Sequence, residues 1–261
     1  PGVGENLQDH LDVLSHYECT QPVTEAKYTA GGLAVFRMAK ILAQWMITKK
    51  GPGNDIGLSG VSFLKTDNTL DLPDIQMHFI GSLLKDHGKT RPDSHAFSNH
   101  VCQLRPESRG YIALKSLDPK VPPIIQPNYF ATQKDRDTLI KGVKMSREIM
   151  NQSAFDEYRG KEITPGIHVQ TDEEIEDFIR NAAETIYHPV GTCKMGNDEF
   201  AVVDDKLRVR GVENLRVVDA SVMPTLIGGN TNAPTIMIAD KISDHILGKE
   251  FLTPENFSNI N

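Results

Sequence analysis

The first strongly patterned segment of the chain is residues 31–50, in which apolar side chains recur at helical spacing. Val35, Met38 and Leu42 fall on one side of a helix drawn through it. The glycine-proline-glycine run at 51–53 would end that helix. We expect a helix that faces the core or covers it as a lid. A helix on a membrane surface is the alternative, although that would require a more strongly basic polar face.

Two further helices are predicted by the same spacing. Residues 133–151 mix apolar and charged positions in a helical pattern. The segment that begins at Pro234 places Ile238, Ile242 and Ile246 in line, and proline is favoured at the first position of a helix. We therefore expect a closing helix that starts at Pro234.

A fourth helix is predicted to begin after Thr171. Glu174 follows three residues later, as in a capping box. An apolar stripe then runs along one side and leads directly to Tyr187 and His188. The stripe consists of Ile175, Phe178, Ile179, Ala182 and Ile186.

Strand signals occur in three places. Residues 73–80 and 108–116 alternate between two faces with period two. Residues 213–221, "ENLRVVDAS", predict a buried strand that runs into a turn.

Composition narrows the class of protein. The chain has 261 residues, a formal net charge of −7 and dispersed basic residues, which argues against nucleic-acid binding. Its three distant cysteines favour a reducing, cytoplasmic setting over a disulfide framework or a zinc site. No apolar run reaches the roughly 20 residues of a membrane span. Because no initiator methionine or signal peptide is present, we interpret the chain as part of a longer protein.

Motifs of several other enzyme classes are incomplete here. "PGVG" at 1–4 has Leu7 where a dinucleotide fingerprint needs its third glycine, and "GLSG" at 57–60 is not a GxSxG elbow. "HGKT" at 87–90 lacks the first glycine of a phosphate loop, and no HExxH occurs. Hydrolase, kinase and metalloenzyme functions are therefore disfavoured, and we expect no metal site.

Two loops carry the remaining chemical signal. The first is "YHPVGTCKMG" at 187–196, and the second is "DASVMPTLIGGNTNAPT" at 219–235. In the second, paired glycines permit close approach to a ligand, and the following helix presents its positive end. The pattern indicates a pocket for an anionic or reducible ring, with an ordinary capped helix as the alternative.

Six motifs in order along the chain resemble the C-terminal half of the glucose–methanol–choline (GMC) family of flavin oxidoreductases. They are "GVGENLQDH" (2–10), "SRGYIALKS" (108–116), "YRGKEITPG" (158–166), "YHPVGTCKMG" (187–196), "LRVVDASVMP" (215–224) and "GGNTNAPTIMIADK" (228–241). The resemblance covers nearly the whole chain.

The resemblance implies FAD as cofactor and an α+β fold. Residues 11–185 are expected to form a substrate-binding domain, a mostly antiparallel sheet with helices on one face. Residues 1–10 and 186–261 are expected to be the C-terminal part of the FAD-binding domain, whose N-terminal ADP-binding half is absent. We therefore expect little or no FAD binding, and no activity, from this chain alone.

The resemblance also implies roles for individual residues. His188 matches the catalytic histidine of the family, and Asn230 matches its second catalytic position. Four residues match cofactor-binding positions: Asp219 and Ala220 at the phosphate and ribityl region, Asn232 and Ala233 at the N1–C2=O edge of the ring. A neutral imidazole suits proton abstraction near pH 7, and an amide can hydrogen-bond the alcohol oxygen.

The substrate is less clearly indicated. The motifs suit choline dehydrogenases and flavin-dependent primary-alcohol dehydrogenases, while "LLKDHGK" (83–89) looks more like the aliphatic-alcohol group. Asp12 stands at the acidic position of choline enzymes, one methylene shorter than the usual glutamate. A tryptophan pair found in those enzymes is absent, and Ser59 replaces another glutamate. Asp12 is therefore either a substrate-binding residue or an ordinary surface or turn carboxylate.

The resulting prediction is part of an FAD-dependent dehydrogenase that oxidises choline or an aliphatic primary alcohol to an aldehyde. A stand-alone, non-catalytic binding or interaction module with the same fold is the alternative. The expected partners are the alcohol and an electron acceptor such as a quinone. The expected location is cytoplasmic, or peripheral to the inner membrane.

Overall fold

The computed structural model describes residues 1–54, 57–83 and 94–250. The strands are β1 Leu11–Cys19, β2 Gly60–Leu64, β3 Ile75–Ile80, β4 Ala96–Gln103, β5 Tyr111–Ala113, β6 Ile124–Gln126, β7 Arg159–Thr164 and β8 Glu184–Thr185. The α-helices are α1 Ala26–Thr29, α2 Ala34–Thr48, α3 Gln133–Met150, α4 Asp172–Ala182 and α5 Asn232–Ile246. The predicted α+β class is confirmed.

The described residues form two compact units. We call the first the loop unit; it contains residues 1–9, 109–129 and 188–261. The second, the sheet unit, contains residues 10–108 and 130–187. Residues 109–129 thus fall in a different unit from the rest of 11–185. The assignment of substrate-binding and FAD-binding domains stays a prediction.

The sheet unit is built on a six-stranded antiparallel sheet in the order β2-β3-β4-β1-β7, with β8 also paired to β1. Helix α3 packs on one face of it, mainly against β4. Gly142 allows the close approach, because a Cβ there would lie 2.8 Å from Val101 Cγ1 and 2.9 Å from Ile75 Cδ1. The core lies between this helix and the sheet.

The predicted strand over 73–80 is confirmed as β3. Its alternation indicated one buried face, yet Ile75, Gln76, Met77 and His78 are all buried. The burial of Gln76 and His78 as well as Ile75 and Met77 shows that both faces of β3 are covered over this stretch.

The predicted starts of two helices in this unit are confirmed. Helix α3 occupies 133–150, and Thr171 and Glu174 form the predicted capping box of α4. Helix α4 nevertheless ends at Ala182, and β8 follows it. Ile186 is therefore not on the predicted stripe, and the helix does not lead directly to His188.

Helix α2 confirms the predicted helix over 31–50 but not its burial. None of its residues is buried, and Val35 and Leu42 are exposed. It packs mainly against α1 and the 3-10 turn Pro52–Asn54. The prediction that this helix faces the core is therefore wrong, and the prediction that it covers the core as a lid stays a prediction.

The loop unit has little regular structure. Strands β5 and β6 form a two-stranded antiparallel pair, so the strand predicted over 108–116 is reduced to three residues. Residues 213–221 form no strand; they contribute one isolated bridge at Arg216, and their side chains are exposed or half-buried. That prediction is wrong because an apolar run was interpreted as buried. The main apolar cluster comprises Val202, Val203, Leu207, Val222 and Ile242.

Candidate functional site

The two loops singled out in the sequence lie in the loop unit, and the first residues of the chain join them. Gln8 and Val190 exchange both backbone hydrogen bonds, at 3.0 and 2.8 Å. The N–H of Gly4 donates to the carbonyl of Thr192 at 2.8 Å. The first loop is therefore paired with the N-terminal segment by backbone hydrogen bonds, as two neighbouring strands would be.

The side chain of Gln8 fastens the second loop to the same segment. Its Oε1 accepts from the N–H of Leu226 at 3.1 Å, and its Nε2 donates to the carbonyl of Pro224 at 3.2 Å. Asn6 Nδ2 reaches the carbonyls of both Gly191 and Pro224 at 3.2 Å. Because Gln8 is only 2 % exposed, water cannot replace these bonds, and the geometry of both loops depends on it.

Gly191 is required where the first loop meets Asn6. Its φ is +95°, and a Cβ there would lie 2.4 Å from the backbone oxygen of Asn6. Both the backbone conformation and the contact exclude a side chain.

Further bonds connect the two loops directly. The N–H of Cys193 donates to the carbonyl of Ser221 at 2.9 Å, and that of Met195 donates to Val222 at 2.8 Å. Val190 packs in an apolar cluster with Met223 and Leu226. The two loops therefore form one connected structure.

His188 is held at its backbone by a buried carboxylate. It is 8 % exposed, and its N–H donates to Asp9 Oδ1 at 2.8 Å. Tyr129 donates its hydroxyl to the other oxygen of Asp9. Pro189 also restricts the backbone of His188. The residue is thus fixed from two sides.

Asn230 lies at the exposed end of the second loop, just before helix α5. The helix begins at Asn232, so the prediction that Pro234 starts it is wrong by two residues. Pro234 is the third residue of the helix. A backbone N–H at that position would have no partner within the helix, so the missing N–H of proline costs no hydrogen bond there. The first turn has no acidic residue and no side-chain cap, so its positive end is not neutralised locally.

Asp219 lies earlier in the second loop. Its Oδ1 accepts from the N–H of Ser221 at 2.8 Å and caps the 3-10 turn Ala220–Val222. Asp219 is exposed and Ala220 is half-buried. The turn replaces the strand end that was predicted here.

Asp12 belongs to β1 of the sheet unit, whereas the residues described above belong to the loop unit. It is 3 % exposed, and His100 Nδ1 lies 2.5 Å from its Oδ2. Its Oδ1 is buried and has no hydrogen-bond partner. The alternative of an ordinary surface or turn carboxylate is therefore wrong.

The structure thus brings six predicted site residues into the loop unit: His188, Asn230, Asp219, Ala220, Asn232 and Ala233. It adds three that the sequence did not single out, namely Asn6, Gln8 and Asp9. They lie inside the motif "GVGENLQDH", where Gln8 and Asp9 are buried and Asn6 is half-buried. The sequence alone does not reveal that burial.

Comparison with known proteins agrees with the resemblance. A family model described as GMC oxidoreductase matches residues 106–239, just over half of the chain. The "Oxygen-dependent choline dehydrogenase" of Cronobacter sakazakii is 47 % identical over 249 residues, covering 95 % of this chain and 44 % of the relative. The chain spans about half the length of the curated relatives it matches.

Solved structures share the fold. The pyridoxine 4-oxidase of Mesorbium loti matches with a TM-score of 0.78 and 27 % identity, over 96 % of this chain and 45 % of that one. The formate oxidase of Aspergillus oryzae RIB40, solved in a study of FAD modification, matches with a TM-score of 0.84 and 23 % identity, over 95 % and 48 %. With the family model and the relatives in agreement, the chain belongs to the GMC oxidoreductase family.

Proposed function

We propose that the protein containing this chain is an FAD-dependent dehydrogenase that oxidises an alcohol to an aldehyde. The observation that supports this most strongly is the connected pair of loops that carries His188 and Asn230, joined by the buried Gln8. The name of the 47 % identical relative favours choline as the substrate, with an aliphatic primary alcohol as the second candidate. The segment "LLKDHGK" lies, after Leu83, outside the described residues.

The residues of the loop unit fit a flavin. The uncapped first turn of α5, which contains Asn232 and Ala233, suits the N1–C2=O edge of the ring, where negative charge collects on reduction. Asp219 and Ala220 would hold the ribityl and phosphate region. When bound, the flavin supplies the hydride acceptor at N5.

In this proposal His188 takes the hydroxyl proton of the alcohol. A neutral imidazole is a competent base near pH 7, since its ordinary pKa is about 6.5. Asn230 hydrogen-bonds the alcohol oxygen as negative charge develops on it. Asp9 does not touch substrate; it positions His188 through the backbone.

Asp12 is the proposed substrate-binding carboxylate. A quaternary ammonium would be attracted by its charge, and its unpartnered Oδ1 favours such a use. His100 Nδ1 lies 2.5 Å from the other carboxylate oxygen, Oδ2.

We also propose an electron carrier such as a quinone as the final acceptor, and a cytoplasmic location or one at the surface of the inner membrane. Among the described residues, no helix is both long enough and apolar enough to cross a membrane. This chain by itself should bind little FAD, because it spans only about half the length of the curated relatives that it matches.

The experiment is an anaerobic substrate panel on the complete, flavin-loaded protein. Choline and straight-chain primary alcohols are mixed with the enzyme, and bleaching of the oxidised flavin is followed. Bleaching by one of the two classes is expected. Failure of every alcohol to bleach a fully loaded flavin would contradict the proposal and favour a non-catalytic module.

A further inference from the structure

Helix α2 exposes the side of its surface that is normally buried. Val35, Phe36 and Ile47 are 76, 73 and 83 % exposed, and Leu42 and Met46 are more than half exposed. An amphipathic helix of a globular protein ordinarily turns its apolar stripe to the core. The exposure therefore requires another explanation.

The exposed apolar residues form one continuous surface. At 3.6 residues per turn, they occupy an arc of roughly half the helix circumference. Met38 and Leu42, at one edge of this surface, also line a cavity beside the helix. We call the rest of the surface the apolar arc; it comprises Val35, Phe36, Met46 and Ile47.

The remaining side of the helix already has a partner. Ile41 and Trp45 face the turn at 52–54, where a Cβ on Gly53 would lie 2.8 Å from Trp45 Cβ and 3.3 Å from Ile41 Cγ2. These two side chains, together with Met38 and Leu42, line a cavity of ≈650 Å³ beside the helix. Val35, Phe36, Met46 and Ile47 do not line this cavity, so the apolar arc lies outside the packed side of the helix.

The charge around the arc is basic although the chain is acidic. Residues 26–54 contain five basic and no acidic side chains, against a net charge of −7 for the whole chain. Arg37 is used within the unit, where it donates to the carbonyls of Tyr28 and Ala30. Lys40, Lys49 and Lys50 are exposed at the sides and end of the helix, and the Nζ of Lys49 lies 4.3 Å from the centroid of the Trp45 ring. An anionic surface would complement them.

We propose that α2 docks the protein on a bilayer surface that contains anionic lipids. The helix would lie in the plane of the membrane, with the apolar arc at the boundary between headgroups and acyl chains and the three lysines among the headgroups. Its 15 residues are too few to span a bilayer, which takes about 20. This inference rests on the proposed membrane-peripheral location but not on the proposed oxidation.

A second copy of the chain is a less suitable occupant. If two apolar arcs packed antiparallel across a two-fold axis near the middle of the helix, Lys40 of one copy would approach Lys40 of the other. Like charges at that distance repel, whereas anionic headgroups attract all three lysines.

Vesicle flotation of the complete, flavin-loaded protein tests the proposal. Vesicles of phosphatidylcholine with and without phosphatidylglycerol are compared at low and high salt. Binding to the anionic vesicles is expected, and it should weaken with salt because the screening length is only about 10 Å at 0.1 M. Phe36→Ser with Ile47→Ser, and separately Lys40→Glu with Lys50→Glu, should each reduce binding roughly tenfold or more.

Matched controls are Leu117→Ser, at an apolar position that is 98 % exposed in the loop unit, and Lys161→Glu on the exposed face of β7. Both should bind vesicles as the unaltered protein does. Reduction of a soluble dye by alcohol should persist in all four variants, so loss of docking is distinguishable from loss of the oxidation. Absence of vesicle binding, binding unaffected by the α2 variants, or conversion of a dimer to a monomer by them without any lipid effect would overturn the proposal.

Discussion

Buried polar groups serve different purposes in the two compact units. In the sheet unit, Asp135 is 1 % exposed and accepts hydrogen bonds from Gln103, from the N–H groups of Glu107 and Ser108, and from the Ser108 hydroxyl. Its neighbours are all parts of the same fold. The carboxylate therefore stabilises the connection between β4 and α3.

In the loop unit, the buried polar groups hold the loops that carry the proposed site. Gln8 bonds to the second loop and Asp9 to His188, while Asn230 and Asp219 remain exposed beside them. A buried group whose hydrogen bonds all stay within one part of the fold, such as Asp135, mainly stabilises the folded state. A buried group that bonds to a loop of the proposed site, such as Gln8, mainly sets the position of that loop. Changes in the first should appear in unfolding, and changes in the second in turnover.

The largest effect on stability is expected for Asp135→Ala. Several buried donors would lose their acceptor, at a cost of roughly 3–5 kcal/mol in the free energy of unfolding. Urea unfolding measures it. Asp137→Ala, at an exposed position two residues along the same helix, is the control and should cost less than about 0.5 kcal/mol. Equal losses in the free energy of unfolding for Asp135→Ala and Asp137→Ala would contradict the stabilising role of the buried carboxylate.

The same carboxylate should make stability depend on pH in the acid range. Burial alone would raise the pKa of Asp135, but the hydrogen bonds from Ser108, Glu107 and Gln103 outweigh it and lower the pKa. A lowered folded-state pKa gives stability that is fully present above the unfolded value of about 3.9 and is lost as the pH falls through the folded value. Asp135→Asn should remove this part of the pH dependence, as measured by urea unfolding at a series of pH values.

Gln8→Ala should have an intermediate effect on stability and a clear effect on turnover. The N–H of Leu226 would lose its buried acceptor, which costs roughly 1–3 kcal/mol. Since the second loop would no longer be fastened, flavin reduction by alcohol should slow while the sheet unit stays folded. Circular dichroism and stopped-flow absorbance check the two parts. A variant with unchanged reduction kinetics would contradict the proposed purpose of Gln8.

Asp12→Asn should cost the least in stability. One oxygen of Asp12 has no hydrogen-bond partner, so less is lost than at Asp135, about 1 kcal/mol. If choline is the substrate, its KM should rise roughly tenfold, by loss of the ion attraction, while that of a neutral primary alcohol changes little. A similar change for both substrates would show that Asp12 does not recognise a cation.

Local sequence signals predicted much of the fold. The capping box at Thr171, the extent of α3 and the strand β3 each depend on residues close together in the chain, and each is confirmed. The predictions for 213–221 and for the burial of α2 were wrong for a common reason. An apolar pattern says which side of a segment is apolar, not whether another segment covers it.

The candidate site shows the same limit. The loops at 187–196 and 219–235 were predicted from their residues and from the family resemblance. The contribution of Gln8 and Asp9 could not be, because their partners lie about 180 to 220 residues away in the chain. Neither could the burial of Asp12, whose partner His100 is reached only through the pairing of β1 with β4.

The most direct test of the account is the rate of flavin reduction in His188→Ala of the complete, flavin-loaded protein. Stopped-flow absorbance under anaerobic conditions isolates this step, and His168→Ala, an exposed histidine of the sheet unit, is the control. The account predicts a rate lower by roughly two to four orders of magnitude, as for loss of a general base, with the control unchanged. An unchanged rate with flavin fully bound would contradict it.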